Sequence, residues 1–521
     1  MTSPGLYTNK IAIIDFGSQY TQLIARKIRE EGIYSEILSP NVSSNYILQP
    51  EVKGIVLSGG PSSVFEKSAP KCAEEIIYSG KPILGICYGM QLMAHMLGGK
   101  VIRAEKREYG LTRIKITKAR GFFHDFQQGS ELNVWMSHWD QVIELPDGFE
   151  VLASSENTEI AAMANHTKNL YAVQFHPEVH HTERGRDIIR NFIFKICGAS
   201  ATWSLSSFLE QTIREIKEKV GNSGVICALS GGVDSTVTAV LVHRAVGENL
   251  KCIFVNNGLL RENEAEDVLR IYKEDLKLPV IYVDATKNFL NKLKGVVHPE
   301  KKRKIIGNEF IRVFENTVKR DNLKNINFLA QGTLYPDVIE SVSFKGPSKK
   351  IKTHHNVGGL PKRLKFKLIE PLRELFKDEV RRLGVELKIP DVILKRHPFP
   401  GPGLAVRIIG EVTPERLALL RRVDKIVIEE LESSGIYNEL WQGFAVLLPL
   451  KSVGVMGDRR TYANVVALRL VNSQDGMTAN WALVPYDILG RISSRIVNEV
   501  NGVNRVVYDI SNKPPGTIEW E

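Results

Sequence analysis

The sequence predicts an α/β protein in three parts: two parallel-sheet, three-layer domains followed by a small α+β domain at the C-terminus. Three observations predict it. Apolar runs of strand length alternate with amphipathic helical stretches in the first 200 residues and again after residue 224. A small, polar stretch, GASATWSLSS, interrupts the alternation near residue 200. A proline-glycine cluster, RHPFPGPGLAVRIIG, interrupts it again at 396. The expected domains are therefore 1–200, 201–395 and 396–521, as suits a chain of 521 residues, too long for one core.

In order, KIAIIDFG leads to the helical SQYTQLIARKIREEG, GIVLSGG to a helix near APKCAEEIIYSG, and KPILGIC to GMQLMAHMLGG. Such strand-then-helix pairs are crossovers of a mainly parallel sheet. From about 100 to 175 the pattern is shorter and richer in strands, and it closes with LYAVQFHPE and a helix, RGRDIIRNFIFKIC. After the helix FLEQTIREIKEKVG, the runs GVICALS, NLKCIFVNN, PVIYVDA and NINFLAQG read as buried strands of a second parallel sheet. Beyond 396, helices around 414–434 and 486–501 alternate with the strand-like FAVLLPLKSVGVMG, ANVVALRLV and NRVVYDI.

Hydrophobic content of 43% and charged content of 25% are those of a globular protein and exclude a fibrous or disordered chain. Membrane-spanning length is absent from the apolar runs and MTSPGLYTNK has no apolar signal core, so a cytoplasmic protein without membrane partners is expected. Five scattered cysteines, without a C-x-x-C pair, suggest neither a disulfide framework nor structural zinc. The net charge of +10 is concentrated in HPEKKRK (298–304) and KGPSKKIKTHHNVGGLPKRLKFK (345–367). Such runs suit a solvated face, nucleic acid or a small polyphosphate.

In GICYG, a cysteine stands between two glycines where a strand gives way to a helix, the setting of a nucleophile elbow. Gly85 and Gly89 allow the close approach, and helix N-terminal N–H groups favour a nucleophilic sulfur at Cys87. VQFHPE supplies a base, His176, and a carboxylate two residues on, Glu178, which on an extended strand would share its face. LSGGP at 57–61 is a second glycine turn whose N–H groups could meet an oxyanion. On these residues the first 195 or so positions resemble the class I (triad) glutamine amidotransferases. The resemblance implies that Cys87 attacks the glutamine amide, His176 is the acid/base, Glu178 orients it, and the N–H groups of Gly59 and Tyr88 stabilise the oxyanion. Gln91 would contact glutamine.

LSGGVDS follows the strand VICAL and opens the helix STVTAVLVHRAVG, so N–H groups, hydroxyls and the helix dipole converge on an anion. The spacing is not that of a Walker A loop. It resembles the pyrophosphate-binding loop of ATP pyrophosphatases, which have an adenine nucleotide α-hydrolase-like fold. The resemblance implies that Ser230, Gly231, Gly232, Val233, Asp234 and Ser235 cradle pyrophosphate. Asp234 would help hold Mg²⁺ with ATP, and no prosthetic group is expected. The basic runs would then be mobile lids over ATP and an anionic substrate rather than nucleic-acid grooves.

QGTLYPDVIES (331–341), HHNVGGLP (354–361), RHPFPGPGL (396–404), SVGVMGD (452–458) and KPPGTIEWE (513–521) occur in that order. With the two loops they resemble the glutamine-hydrolysing GMP synthetase family over the whole chain. The resemblance implies a ligase that adenylates the C2 oxygen of XMP and replaces AMP by ammonia released from glutamine. The C-terminal part would bind XMP and form a homodimer, with Arg505 and Lys513 toward the phosphate and Glu519 toward base or ribose. Asn256, Arg459 and Gly516 depart from the family pattern, and Asn256 lies where contacts to ATP are expected. Two rivals differ: an amidotransfer enzyme acting on another acceptor, such as deamido-NAD, predicts no C-terminal tags. An RNA-binding protein leaves the cysteine, histidine and glutamate set without a role.

Overall fold

The run Lys10–Ile14 is buried at every position, as a strand covered on both faces of a parallel sheet must be. It forms β1 of a computed structural model that describes residues 8–321, 325–342, 366–456, 458–473, 476 and 478–521. The chain divides into two compact units between Gln211 and Thr212, within the helix Leu205–Val220.

In the first unit β1 is followed by β2 (Tyr34–Leu38), β3 (Val52–Leu57), β4 (Ile83–Ile86) and β5 (Lys100–Ile116). Then come β6 (Glu131–Glu144), β7 (Glu150–Ser155), β8 (Ala162–Asn165) and β9 (Leu170–Val173). Among the described residues they make one nine-stranded sheet ordered β2-β1-β3-β4-β9-β8-β7-β5-β6. The five strands from β2 to β9 run parallel, and those beyond β9 pair antiparallel. This matches the change of pattern after residue 100. The helix expected near APKCAEEIIYSG is only Glu74–Ile77, because a left-handed Gly80 turns the chain toward β4 soon after it. The helix read from RGRDIIRNFIFKIC starts at Gly185 and widens into a π-helical turn over Asn191–Ile196.

The second unit opens with β10 (Gly224–Leu229), β11 (Leu250–Asn256), β12 (Val280–Asp284), β13 (Ile326–Ala330) and β14 (Lys367–Ile369). All pairs are parallel in the order β12-β11-β10-β13-β14. The strand order reverses at β10, and an open sheet of this kind binds ligands beyond the C-terminal end of that strand. Next come β15 (Gln442–Met456), β16 (Arg459–Asn472), β17 (Asn480–Trp481) and β18 (Val503–Tyr508), with β18 parallel to β16.

The helices Pro414–Ser433 and Tyr486–Glu499 carry the apolar side chains that fill this end of the unit. The division expected at 396 is no break in the core. One buried cluster holds Ile226, Ile253 and Phe289 of the earlier part together with Leu404, Val427, Val466 and Ile492 of the later part.

The expectation of a mobile lid at 301–304 is corrected here. HPEKKRK starts the helix Pro299–Arg320, with proline in the first turn where its missing N–H costs nothing. Lys302 is fully buried, and its ammonium donates to the carbonyls of Ala405 and Ile408 at 3.2 and 2.7 Å and to the Glu521 carboxylate. A buried ammonium with three acceptors is a fastening, not a lid. HHNVGGLP and the basic run 345–367 up to Lys365 lie outside the described residues. Among the described residues no helix is long and apolar enough to cross a membrane.

Candidate active sites

β4 and β9 are neighbours in register, Ile86 opposite Val173, so the residues following them emerge side by side at the C-terminal edge of the sheet. Cys87 follows β4 with φ +53° and ψ −106°, a conformation that costs a non-glycine residue about 1–3 kcal/mol. Its N–H is anchored on the Val173 carbonyl at 2.8 Å, and the helix Tyr88–Met96 starts at the next residue. The flanking glycines are obligatory: a Cβ on Gly85 would come within 2.8 Å of the Gly89 carbonyl, and one on Gly89 would strike the Leu57 carbonyl.

His176 and Glu178 sit beside Cys87, in a turn after β9 rather than on an extended strand. Their pairing therefore comes from the bend at Pro177, not from strand alternation. His176 Nδ1–H donates to Glu178 Oε1 at 2.8 Å, and both side chains are buried. Burial alone would disfavour the imidazolium. Glu178 and the hydrogen-bonding Cys87 outweigh it and hold His176 well above its ordinary value.

Tyr20 packs edge-on against the ring with centroids 5.0 Å apart. Gly59 lies against it too, since a Cβ there would be 3.1 Å from His176 Cε1. Tyr88 opens its helix, so its N–H has no intrahelical partner. The Tyr88 phenol, which donates to the Pro70 carbonyl at 2.7 Å, is pushed up to about 12 by burial and is no acid for this site.

Gln91 is 3% exposed and donates to the Asp140 carbonyl at 2.7 Å. Gln174, which stands in VQFHPE but is given no role by that string, places Nε2 3.7 Å from the sulfur of Cys87. The thiol itself points at the Ser137 carbonyl, 3.6 Å away. The β6 wall is anchored in turn by a buried carboxylate, Glu108. It faces His138 Nε2 at 3.2 Å and accepts from Thr158 and Ser155 at 2.8 and 2.9 Å. Burial would raise this carboxyl, but these hydrogen bonds outweigh it and hold Glu108 below the usual range.

A depressed carboxyl stabilises the fold above its unfolded value, about 4.3, and the stabilisation is lost as pH falls through the folded value. Glu108→Gln should therefore cost about 1–3 kcal/mol near neutrality. The gap between variant and parent in thermal unfolding should narrow progressively as the pH falls below the unfolded value of about 4.3. A gap that stays constant down to pH 3 would show that the Glu108 charge is not what matters.

In the second unit the loop Ser230–Ser235 leaves β10 at the point where the strand order reverses, and the helix Val233–Val246 begins within it. Gly231 takes φ +79°, which favours glycine. The hydroxyls of Ser230 and Ser235 lie 3.0 Å apart, and the Gly232 N–H donates to Ser230 Oγ at 3.3 Å. Thr236 closes the turn by donating to the Gly232 carbonyl at 2.7 Å. The Asp234 carboxylate is held by Lys377 Nζ at 2.6 and 2.5 Å. Asn256, at the end of β11, caps the next turn: its Oδ1 accepts the Gly258 N–H at 2.9 Å and its Nδ2 donates to the Tyr282 hydroxyl at 3.1 Å.

The three residues assigned to XMP have different partners. Arg505 donates to Ser452 Oγ at 3.2 Å, and Lys513 Nζ to the Gly476 carbonyl at 2.7 Å. Glu519 accepts from Arg407 at 2.9 and 3.1 Å and from Gln442 at 2.8 Å. Among the described contacts none joins any two of the three. Arg407, fully buried between the rings of Phe399 and Phe444, and Gln442 were not singled out in the sequence. Arg407 stands in RHPFPGPGLAVRIIG, a string that marks a boundary without giving this residue a role, and Gln442 stands outside every quoted string.

Residues 12–196 match the family described as glutamine amidotransferase class-I, 205–317 that described as NAD synthase, and 429–520 the GMP synthase C terminal domain. The chain is 57% identical over 513 residues to a GMP synthase (glutamine-hydrolyzing) of Brachyspira hyodysenteriae, spanning 98% of this chain and 99% of that one. It is 58% identical over 514 residues to one of Solidesulfovibrio magneticus, 98% and 99% of the two chains. A relative of the same description from Carboxydothermus hydrogenoformans is 58% identical over 513 residues, 98% of this chain and 100% of its own.

Proposed function

The chain belongs to the family of glutamine-hydrolysing GMP synthases, and from that premise we propose how its residues divide the work. The reaction is glutamine-dependent formation of GMP from XMP with ATP, a ligase step of purine nucleotide biosynthesis. Residues 1–200 release ammonia, 201–395 cleave ATP between its α- and β-phosphates, and 396–521 bind XMP and associate with a second copy.

The observation that carries this reading is the strained Cys87 elbow beside the His176–Glu178 pair. The sulfur of Cys87 attacks the side-chain carbonyl carbon of glutamine while His176, whose charged form Glu178 favours, holds the thiol proton. The oxyanion is received by the N–H groups of Gly59 and Tyr88. His176 then gives its proton to the departing ammonia, takes one from water, and the hydroxide releases glutamate from the thioester. Gln91 and Gln174 shape the glutamine pocket.

At the second site Ser230, Gly231, Gly232, Val233, Asp234 and Ser235 hold the phosphates that become pyrophosphate. The C2 oxygen of XMP bonds to the α-phosphorus and the bond to pyrophosphate breaks. Ammonia then bonds to C2 and AMP leaves with that oxygen. The chain's own residues fit the Mg²⁺ that accompanies ATP: Asp234 already attracts a cation, Lys377, and one carboxylate with substrate phosphates is a common donor set. When bound, Mg²⁺ offsets phosphate charge. Lys377, which pairs with Asp234 in this structure, stands beside the same loop, where it can meet phosphate charge.

Arg505 and Lys513 serve the XMP phosphate, and Glu519, oriented by Arg407 and Gln442, serves the base or ribose. The homodimer reading rests on an exposed apolar face of β15 and β16, where Val453, Val455 and Tyr462 are 59%, 71% and 68% exposed. A cytoplasmic location suits these soluble substrates.

The test is isotopic. XMP labelled with ¹⁸O at C2 should yield AMP carrying one ¹⁸O and unlabelled pyrophosphate by mass spectrometry. Label found in pyrophosphate or orthophosphate, or left in the product nucleotide, would exclude adenylation of that oxygen.

A further inference from the structure

The RHPFPGPGL string has no part in the chemistry so far, yet its first residue reaches the phosphate loop. Arg396 Nη1 donates to the Gly231 carbonyl at 3.0 Å, across 165 residues of chain. Its Nη2 pairs with the buried Glu264, the first residue of the helix Glu264–Arg270. The guanidinium centre lies 5.8 Å from the Phe399 ring. We propose that Arg396, fixed by Glu264, is a positioning residue that sets the direction of the Gly232 N–H toward the nucleotide phosphates.

The geometry of the peptide unit carries the inference. In a trans peptide the N–H of one residue points opposite to the C=O before it. Arg396 draws the Gly231 carbonyl to one side of the loop, so the Gly232 N–H is turned to the other. There it meets Ser230 Oγ at 3.3 Å, on the side of the paired hydroxyls. A phosphate oxygen that displaces this weak internal bond finds the donor already aimed.

Space is limited on the Arg396 side, since a Cβ on Gly231 would be 3.2 Å from Nη1. The left-handed turn at Gly231 is thus held from outside as well as permitted by glycine. Burial, with Arg261 and Arg407 close by, pushes Arg396 down to about 10, so its charge is still present at neutral pH. The acceptors it has are those a buried guanidinium requires.

This inference rests on the reading of Ser230–Ser235 as the phosphate loop. The experiment therefore includes a loop variant, Ser235→Ala, beside Arg396→Lys, Arg396→Met and Glu264→Gln, all in the full chain. GMP formation from XMP and ammonium is measured as a function of MgATP and, separately, of XMP, with thermal unfolding as a check of folding.

Ser235→Ala is expected to raise KM for ATP. Arg396→Met should raise KM for ATP about tenfold, as loss of a hydrogen bond to a charged group implies, with KM for XMP changed less than twofold. Arg396→Lys, which keeps the charge but reaches only one of the two acceptors, should recover part of the loss. Glu264→Gln should give a smaller rise in the same direction, and it decides the matter if Arg396→Met does not fold. If Ser235→Ala raises KM for ATP while folded Arg396 and Glu264 variants do not, the positioning role is overturned and the loop reading stands. An unchanged KM for ATP in Ser235→Ala would overturn both. Equal rises for ATP and XMP would mark Arg396 as merely structural.

Discussion

Cys87→Ala is expected to abolish GMP formation with glutamine, by about 10⁴-fold or more, and to leave formation with ammonium within about twofold of the parent. Alanine is no worse suited than cysteine to the φ of +53° at this position, and the Val173 anchor is a backbone bond, so the elbow keeps its shape. What is lost is the only atom at the elbow that can form a thioester. His176 and Glu178 remain paired, and their hydrogen bond of 2.8 Å does not depend on the sulfur. The readout is GMP and AMP by chromatography, with glutamine and with ammonium as nitrogen source. Loss of both activities would mean that Cys87 supports the fold or the nucleotide chemistry. Retention of both would move the nucleophile elsewhere.

Asp234→Asn should instead reduce GMP formation by about 10²–10³-fold with either nitrogen source, the scale on which single electrostatic groups act on phosphoryl chemistry. The amide is isosteric, so the helix Val233–Val246 should still begin in the same place. The change leaves Lys377 without its anion and the phosphates without a carboxylate-held counter-ion. Because Lys377 is about one-third exposed, its loss of partner should barely affect stability. Equal loss with glutamine and with ammonium, and unchanged unfolding temperature, is the expected pattern. A deficit confined to glutamine would separate Asp234 from nucleotide activation altogether.

These two residues were legible in the sequence because each stands in a local pattern. A strand, a glycine turn and a helix start are contiguous in the chain, and the turn decides where the side chain between them projects. The same holds for the inner parallel strands, whose apolar runs KIAII and VICAL are buried at all but one position. PVIYVDA, which also reads as a buried strand, instead forms the edge strand β12, none of whose residues is fully buried, because only one neighbouring strand covers it.

Lys377 and Arg396 were not legible, since each meets the loop only after folding, across 143 and 165 residues. Arg407 was hidden for another reason: a charged residue with no exposure looks in sequence like any surface arginine. HPEKKRK misled in the opposite direction. A run of like charges suggests solvent, yet one lysine of the four basic residues turns inward and is neutralised there. His176 and Glu178 were found by spacing, although a bend rather than a strand brings them together.

The apolar core of the second unit, continuous from Ile226 and Ile253 through Leu404 to Val466 and Ile492, bears on how such enzymes can diversify. A cut near 395 would divide a single packed interior and strand Lys302 from the carbonyls of Ala405 and Ile408. Grafting a different acceptor-binding part onto the adenylating part would leave mismatched halves facing each other. An exchange of the acceptor-binding part would therefore have to carry the whole packed unit with it, from Thr212 onward.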